Sequence, residues 1–237
     1  MVEQSINFPD GSRPFSVFVQ SQNDLLHSLE VLKLKIPSPV IVLVGGADNI
    51  EVTYMPSIHR ANRVIARIAE ELQAIIIDGG TNSGVMASIG KARTDQGYKF
   101  PLIGVAVESL VFFTGKNESL PNNKDHIGAQ LEPNHTNFIF VPGCYWGDES
   151  PWISKSATLL SGDNPSITVL LNGGDISRKD VEISLEVNRA VIAVKGTGRL
   201  ADELASRSKI PNLIRIVAAQ DDMGLSENLL AHLRTPE

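Results

Sequence analysis

The sequence "IIIDGGTNSGVMASIGKA", residues Ile75–Ala92, gives the clearest indication of the fold class of this chain. Three consecutive isoleucines are typical of a strand buried on both faces, and Asp78-Gly79-Gly80 predicts a turn. The residues after the turn have the spacing of a helix. A helix that begins directly after a glycine-rich turn presents free N–H groups and the positive end of its dipole. The stretch therefore predicts a strand–turn–helix unit that can hold an anion such as a phosphate.

The same order of elements repeats along the chain. Apolar runs predict strands over 14–19, 39–47, 74–78, 101–107, 135–141, 166–171, 190–194 and 212–218. Helical spacing of apolar residues predicts helices over 23–34, 57–73 (with Ser57 as its N-cap), 83–96, 150–160, 178–188, 199–208 and 225–233. A polar loop is expected from Glu108 to about Asn134. Alternation of this kind predicts an α/β fold, with a mostly parallel sheet and helices on both faces.

The composition is typical of a globular domain and disfavours several other classes of protein. The 237 residues are 42% hydrophobic and 20% charged, and without a linker-like break we predict one domain over 1–237. The net charge of −6 disfavours a nucleic-acid partner. We expect no signal peptide, no membrane insertion and no structural metal. A single cysteine, Cys144, favours a cytoplasmic setting. A homo-oligomer would be usual for an acidic parallel α/β domain.

Glycine-rich turns follow four of the predicted strands. They are Gly45-Gly46, Gly79-Gly80, Gly173-Gly174 and Gly196-Thr197-Gly198. In a parallel sheet these turns share the carboxyl edge, where open α/β sheets bind ligands. Neither the Walker pattern nor a strict G-x-G-x-x-G is present, so ATP hydrolysis of the P-loop kind and ordinary NAD-dependent hydride transfer are disfavoured.

Polar residues next to these turns are candidate ligand contacts. Thr81, Asn82 and Ser83 can each donate a hydrogen bond to a phosphate oxygen, while one of them caps the following helix. Arg199 opens a helix, where a cation is unfavourable unless it faces an anion. A solvated surface arginine is the alternative interpretation. Asp175 suits ribose hydroxyls better than phosphate.

Several other residues have two interpretations. His135 could contact a ligand, but a histidine that fixes a turn by hydrogen bonds is favoured. Trp146 either stacks on an adenine or packs its loop onto the sheet. Pairing of Cys144 with His135 as nucleophile and base is disfavoured, because nothing nearby resembles a cysteine-enzyme signature. Asp180 and Glu182 would be charges in the first turn of a helix, or working carboxylates.

Four motifs in this order resemble the SLOG domains of the LSDAT type. They are "DGGTNSGVM", "LEPNHTNFIFV", "LLNGGD" and "VIAVKGTGRLADELA", and the resemblance covers roughly 40–205. Such domains include the cytosolic N-terminal domain of melastatin-type TRP channels. The resemblance implies a Rossmann-like fold and a soluble sensor for a nucleotide-derived ligand. ADP-ribose and its cyclic form are the leading candidates, with no cofactor required.

The resemblance also implies roles for individual residues. The turn of Gly79, Gly80, Thr81, Asn82, Ser83 and Gly84 would hold phosphate. The turn of Gly196, Thr197, Gly198 and Arg199 would bind the diphosphate or a ribose. Gly45 and Gly46 would line the floor, and Lys155 lies where the channels have a basic helix.

A more distant resemblance suggests an alternative function. The Lonely Guy phosphoribohydrolases cleave the N-glycosidic bond of nucleoside monophosphates and carry the motif Pro-Gly-Gly-x-Gly-Thr-x-x-Glu. The matching stretch here is "NGGDISRKD", 172–180, in which Asp180 replaces the glutamate. Asp180 or Glu182 would then be the working carboxylate of a hydrolase. The proline, one glycine and the threonine of that motif are changed here. These changes disfavour a hydrolytic function but do not affect the prediction that a nucleotide is bound.

Overall fold

Strands and helices alternate through the computed structural model, which describes residues 2–3, 6–9, 11–113 and 128–234. The strands are β1 (Val2–Glu3), β2 (Phe15–Phe18), β3 (Val40–Gly45), β4 (Ile75–Asp78), β5 (Leu102–Val107), β6 (Val111–Phe112), β7 (Ala129–Gln130), β8 (Asn137–Val141), β9 (Ser166–Leu171), β10 (Ala190–Lys195) and β11 (Ile214–Ala218). The helices are α1 (Leu25–Val31), α2 (Met55–Leu72), α3 (Gly84–Asp95), α4 (Ser150–Ser161), α5 (Asp175–Glu186), α6 (Arg199–Ser206) and α7 (Asp222–Leu233).

Nine strands form the main sheet, in the order β1-β2-β8-β5-β4-β3-β9-β10-β11. Every neighbouring pair is parallel except β1 with β2, which is antiparallel. Strands β6 and β7 pair separately. The prediction of a mostly parallel α/β fold is therefore confirmed, and the arrangement is Rossmann-like.

Both faces of the sheet are covered, which explains why its strands are apolar throughout. Val40, Val42 and Val44 of β3 pack in the core on the side of α1, α4, α5 and α6. Ile41 and Leu43, which point the other way, pack with α2, α3 and α7. Because successive side chains of a strand alternate between faces, a strand between two helical layers has no polar position.

The sheet has a topological switch point at β3 and β9. These two strands are neighbours, but α2 carries the chain from β3 to β4 on one side. Helix α5 carries it from β9 to β10 on the other side. Because the two connections diverge, a crevice opens beyond the carboxyl ends of β3 and β9.

Two predicted helix starts were wrong by a few residues. Helix α2 begins at Met55, so Ser57 lies inside it and is not its N-cap. Pro56 occupies the first turn, where its missing N–H costs nothing and its fixed φ suits the helix. Helix α5 begins at Asp175 instead of Arg178, directly after the glycine turn.

The ends of α1 and α7 also differ from the prediction. Helix α1 is shorter than 23–34, and Lys33 just beyond it has a left-handed φ of 54°. Helix α7 begins three residues before Leu225, because the Asp221 carboxylate accepts a 2.8 Å hydrogen bond from the Gly224 N–H and caps it.

The predicted loop from Glu108 to Asn134 contains regular structure in its described residues. It contains a 3₁₀ turn at Glu108–Leu110 and the short β6–β7 pair, while residues 114–127 lie outside the described residues. Leu131 forms an isolated bridge with Thr81, which ties this segment to the turn after β4. Within the described ranges, no helix is long and apolar enough to cross a membrane.

Candidate functional site

A cavity of about 370 Å³ opens at the switch point, on the carboxyl edge of the sheet. We call it the carboxyl-edge cavity. Its walls come from the segments after β3, β4, β8 and β9 and from the start of α6. The sequence-predicted residues that line it are Gly45, Gly46, Gly79, Thr81, Ser83, Trp146, Gly174, Asp175, Asp180 and Arg199.

Most backbone N–H groups of the turn after β4 are already engaged. The Gly80 N–H donates to Asp78 Oδ1 at 2.7 Å, the Asn82 N–H to the Gln130 carbonyl at 2.7 Å, and the Ser83 N–H to the Thr81 carbonyl at 2.8 Å. Neither Gly80 nor Asn82 lines the cavity. The turn therefore offers mainly the hydroxyl groups of Thr81 and Ser83, whose oxygens are 3.0 Å apart.

Gly84 brings the start of α3 against the turn after β3. Its φ is +48°, and a Cβ there would lie 2.6 Å from the Ala47 carbonyl oxygen and closer still to that of Gly46. The next residue, Val85, donates its N–H to the Gly46 carbonyl at 3.0 Å. Gly84 does not line the cavity. Its role in the structure is to let two turns approach each other at the cavity wall.

The helix whose N-terminus opens onto the cavity is α5. Gly174 is its N-cap residue, and Asp175, Ile176 and Ser177 of its first turn line the cavity. The first N–H of this helix that bonds back to the turn is that of Arg178, to the Gly174 carbonyl at 3.0 Å. The N–H groups before it and the helix dipole favour an anion at this place.

Residues 196–198 do not line the cavity, although the sequence-based prediction placed them in the ligand site. The Asp202 carboxylate accepts the Gly196 N–H at 2.5 Å and the Gly198 N–H at 3.1 Å. Thr197 is buried, and its hydroxyl accepts the Asn172 N–H at 2.8 Å. Gly173 is buried beside this turn and does not line the cavity either. A carboxylate of the protein therefore accepts the N–H groups that the family resemblance assigned to the diphosphate or a ribose of the ligand.

Arg199 supplies the positive charge of the cavity lining. Its guanidinium lies over Gly174, where a Cβ would come within 3.1 Å of Arg199 Cζ. Only a glycine leaves room for this position. Within the described part of the chain, its guanidinium has no ion-pair or hydrogen-bond partner. An exposed, unpaired arginine beside the start of α5 is a second element that favours an anion.

Two carboxyl groups, those of the half-buried Asp180 and the buried Glu149, also line the cavity. Burial raises the pKa of Asp180 to about 7, and the nearby Glu149 carboxyl adds to this, while Ser150 and Lys179 oppose it. Asp180 Oδ1 is buried without a hydrogen-bond partner. Burial also raises the pKa of Glu149, whose Oε2 accepts the Gly147 N–H at 2.8 Å. These groups can exchange hydrogen bonds with hydroxyl groups of a ligand.

The remaining predicted residues lie elsewhere. His135 is buried between Asp78 and Glu132, which agrees with the interpretation that it holds a turn. Glu182 and Lys155 are exposed on α5 and α4 and do not line the cavity. Trp146 is half-buried in the cavity wall.

Sequence reasoning missed Glu149, together with Asp48, Met86 and Ile153 of the lining. The one local signal for Glu149 is its position directly before α4. The sequence left two interpretations of the segment after β8, stacking of Trp146 on a ligand or packing of the loop onto the sheet, and the structure places Trp146 and Glu149 in the cavity lining. Among the described residues, no group of three or more His, Cys, Asp or Glu side chains could hold a metal ion.

The fold and the position of the cavity define a Rossmann-like α/β domain with a site at its switch point. Residues 38–228 match the family model described as SLOG in TRPM, prokaryote, and the chain belongs to this family.

The chain is similar to part of a much longer protein, the transient receptor potential cation channel subfamily M member 2 of Rattus norvegicus. The identity is 27% over 213 residues, which covers 75% of this chain and 14% of the channel.

Two solved structures share the fold. The molybdenum cofactor binding protein of Rippkaea orientalis superposes with a TM-score of 0.54 at 14% identity, over 83% of this chain and 99% of that one. The molybdenum cofactor carrier protein of Chlamydomonas reinhardtii superposes with a TM-score of 0.53 at 17% identity, over 82% and 99% of the two chains. At these identities the likeness concerns the fold alone.

Proposed function

We propose that this domain binds a nucleotide-derived ligand in the carboxyl-edge cavity and acts as a sensor for it, with ADP-ribose or cyclic ADP-ribose as the first candidates. One observation carries the proposal. The N-terminus of α5 and the unpaired Arg199 meet in the cavity wall, and the carboxyl groups of Asp180 and Glu149 line the same cavity. Membership of the SLOG family and similarity to a TRPM channel support the choice of ligand.

In this proposal the phosphates lie at the end formed by α5 and Arg199. The free N–H groups of the first turn donate to phosphate oxygens, and the guanidinium adds a charge-assisted contact. Thr81 and Ser83 supply hydroxyl donors from the facing turn. The phosphate position is thus set by α5 more than by the turn after β4.

The sugar and base would extend toward the carboxyl groups. Asp180 and Glu149 accept hydrogen bonds from ribose hydroxyls, which a phosphate could not provide to a carboxylate. Trp146 offers a ring for stacking, and Ile153 and Met86 offer apolar contacts for the base. The cavity volume of about 370 Å³ lies within the usual range for small-molecule sites.

A thermal-shift panel tests this function. ADP-ribose, cyclic ADP-ribose, NAD, AMP and ATP are added to the wild type, Arg199→Ala and Arg63→Ala. A ligand at a hundred times its dissociation constant stabilises the fold by about 2.7 kcal/mol, which raises Tm by a few degrees. We expect most of this shift to disappear in Arg199→Ala. Arg63 is an exposed arginine on α2 that does not line the cavity, so its variant should keep the shift.

Two outcomes would contradict the proposal. One is the absence of a shift with every nucleotide. The other is equal loss in the two arginine variants, since that would assign the effect to overall charge.

A second candidate function is hydrolysis at the ribose of a nucleotide. Asp180 favours it, because this residue lines the cavity, its carboxyl has a pKa of about 7, and its Oδ1 has no hydrogen-bond partner, which together suit general acid–base chemistry near neutral pH. As a base toward water, Asp180 must be ionised.

Chromatography of nucleotides incubated with the protein tests for turnover. We expect the rate at which the free nucleobase is released to rise as the pH increases through about 7. Asp180→Asn should abolish this release while ligand binding persists. Glu182→Gln is the matched control, since Glu182 is exposed on the same helix and does not line the cavity. If the wild type releases no free nucleobase at any pH, the hydrolase proposal is rejected and the domain only binds its ligand.

A further inference from the structure

A second depression lies at the amino edge of the sheet, opposite the carboxyl-edge cavity. It has a volume of about 490 Å³ and lies where the chain enters β2, β5 and β8. We call it the amino-edge groove. Four Arg and Lys residues line it together with the buried His135, and none of its lining residues in the described part of the chain is Asp or Glu. The four are Arg13, Lys33, Arg93 and Lys99.

This charge pattern is the reverse of that in the rest of the chain. The net charge of the protein is −6. The carboxyl-edge cavity is lined by four carboxyl groups and one arginine. A cluster of cations without lining carboxylates therefore does not follow from composition and creates a local positive field.

The charges of the four cations are unpaired within the described part of the chain. Within the described residues none of them lies in a salt bridge. Arg93 is held in place, since its Nε donates to the Phe100 carbonyl at 2.8 Å. Lys33 Nζ lies 4.9 Å from the centre of the Phe15 ring. The charges of these cations remain available to an incoming anion.

The two carboxylates that act electrostatically on Arg93 accept hydrogen bonds from other groups. Glu70 Oε2 accepts the N–H groups of Lys99 and Phe100 at 2.7 and 2.9 Å. Glu132 is buried and bonded to His135 at 2.8 Å. Both raise the pKa of Arg93, although burial lowers it more. Neither carboxylate lines the groove.

The floor of the groove is apolar. Phe15 is 42% exposed, which is high for a large aromatic residue. The other apolar lining residues are Pro14, Leu32, Leu34, Pro101 and Pro133. An apolar floor with a cationic rim fits a chain that carries both carboxylates and an apolar side chain. A small inorganic anion would use only the rim.

We propose that the amino-edge groove binds an acidic peptide segment of a partner protein. Carboxylates of the segment contact the rim cations, and one apolar side chain packs on Phe15. Because the groove lies at the opposite edge of the sheet from the carboxyl-edge cavity, a partner and a nucleotide could be bound at the same time. The proposal does not depend on the identity of the nucleotide.

Fluorescence anisotropy with defined probes tests the groove. The probe is a short labelled peptide in which glutamates flank one leucine, and the comparison peptide has serine in place of leucine. We expect the leucine peptide to bind more tightly, with an affinity that falls as salt increases. In the double variant Arg13→Glu, Lys99→Glu its affinity should fall at least about tenfold, because two rim charges are reversed.

Lys209→Glu is the matched control. Lys209 is exposed before β11, at the same edge of the sheet, and does not line the groove. The control should bind like the wild type. The double variant should keep the wild-type Tm, because both of its side chains are exposed, and should keep the response to ADP-ribose.

Three results would overturn the proposal: no binding of the leucine peptide, equal weakening in Lys209→Glu, or equal binding of the two peptides with full displacement by inorganic tripolyphosphate. The last result would assign the groove to small polyanions. A failed nucleotide panel with a positive peptide result would reject the nucleotide site alone.

Discussion

Replacement of His135 by alanine is expected to lower the free energy of unfolding by about 3–5 kcal/mol. His135 Nε2 lies 2.9 Å from Asp78 Oδ1, and its Nδ1 lies 2.8 Å from Glu132 Oε2. All three side chains are buried. Removal of the ring leaves two buried carboxylates without the cation that lies between them. Each carboxylate then carries the free-energy cost of an unpaired buried charge. Urea unfolding of the wild type and the variant measures the loss.

His27→Ala is the control for this experiment. His27 is exposed and pairs only with the exposed Glu30, so its replacement should change stability by less than about 0.5 kcal/mol. If His135→Ala were as stable as His27→Ala, the buried cluster would not hold the turn after β4.

The same cluster gives stability a defined pH dependence. Burial alone would lower the pKa of His135, but the adjacent Asp78 and Glu132 carboxylates outweigh it and raise the pKa from 6.5 to about 9. Because the folded-state pKa is the higher one, the stabilisation is complete below about pH 6.5 and is lost as the pH rises through about 9. His135→Gln, which does not titrate, should lack this component of the pH profile.

Replacement of Gly84 by alanine is expected to cost about 2–5 kcal/mol, the sum of a left-handed backbone and overpacking. The residue has a φ of +48°, and its Cβ would clash with the carbonyl oxygens of Gly46 and Ala47. These acceptors belong to the backbone, so no rotamer change relieves the clash. The start of α3 would have to move away from β3. Urea unfolding measures the cost, and the nucleotide response should be lost with it.

Gly97→Ala separates the two contributions. Gly97 also has a positive φ, +66°, but a Cβ there would meet nothing within 4 Å. Its replacement should cost only about 1–2 kcal/mol. Equal costs at Gly84 and Gly97 would show that close approach of the two turns is unimportant.

The alternation of strands and helices was predictable because burial on both faces leaves a direct record in the sequence. The isoleucines of β4 and the valines of β3 do not alternate with polar residues, because both faces of these strands are buried. Helix starts were less predictable. Pro56 favours a start of α2 at Met55, and the hydrogen bond of Asp221 with the Gly224 N–H fixes the start of α7. Other residues close by, such as Ser57, are equally good helix starts as far as the sequence shows.

The candidate site was predictable only in outline. Glycine turns after parallel strands must share one edge, so Gly45, Gly79 and Gly174 could be placed together without a structure. The sequence did not reveal that Asp202 occupies the N–H groups of Gly196 and Gly198.

The fold class and the edge of the sheet that holds the cavity could be inferred from the sequence alone, because the periodicity of strands and helices and the order of these elements are visible in it. The family could be inferred from four motifs that resemble those of SLOG domains of the LSDAT type, and the match of residues 38–228 to the family model confirms it. Three features required the three-dimensional structure: which donors remain free, the position of Glu149 near Asp180 in the cavity wall, and the meeting of four cations in the amino-edge groove. These depend on distances between residues far apart in the chain, and hydrogen-bond competition at such distances leaves no pattern in the sequence.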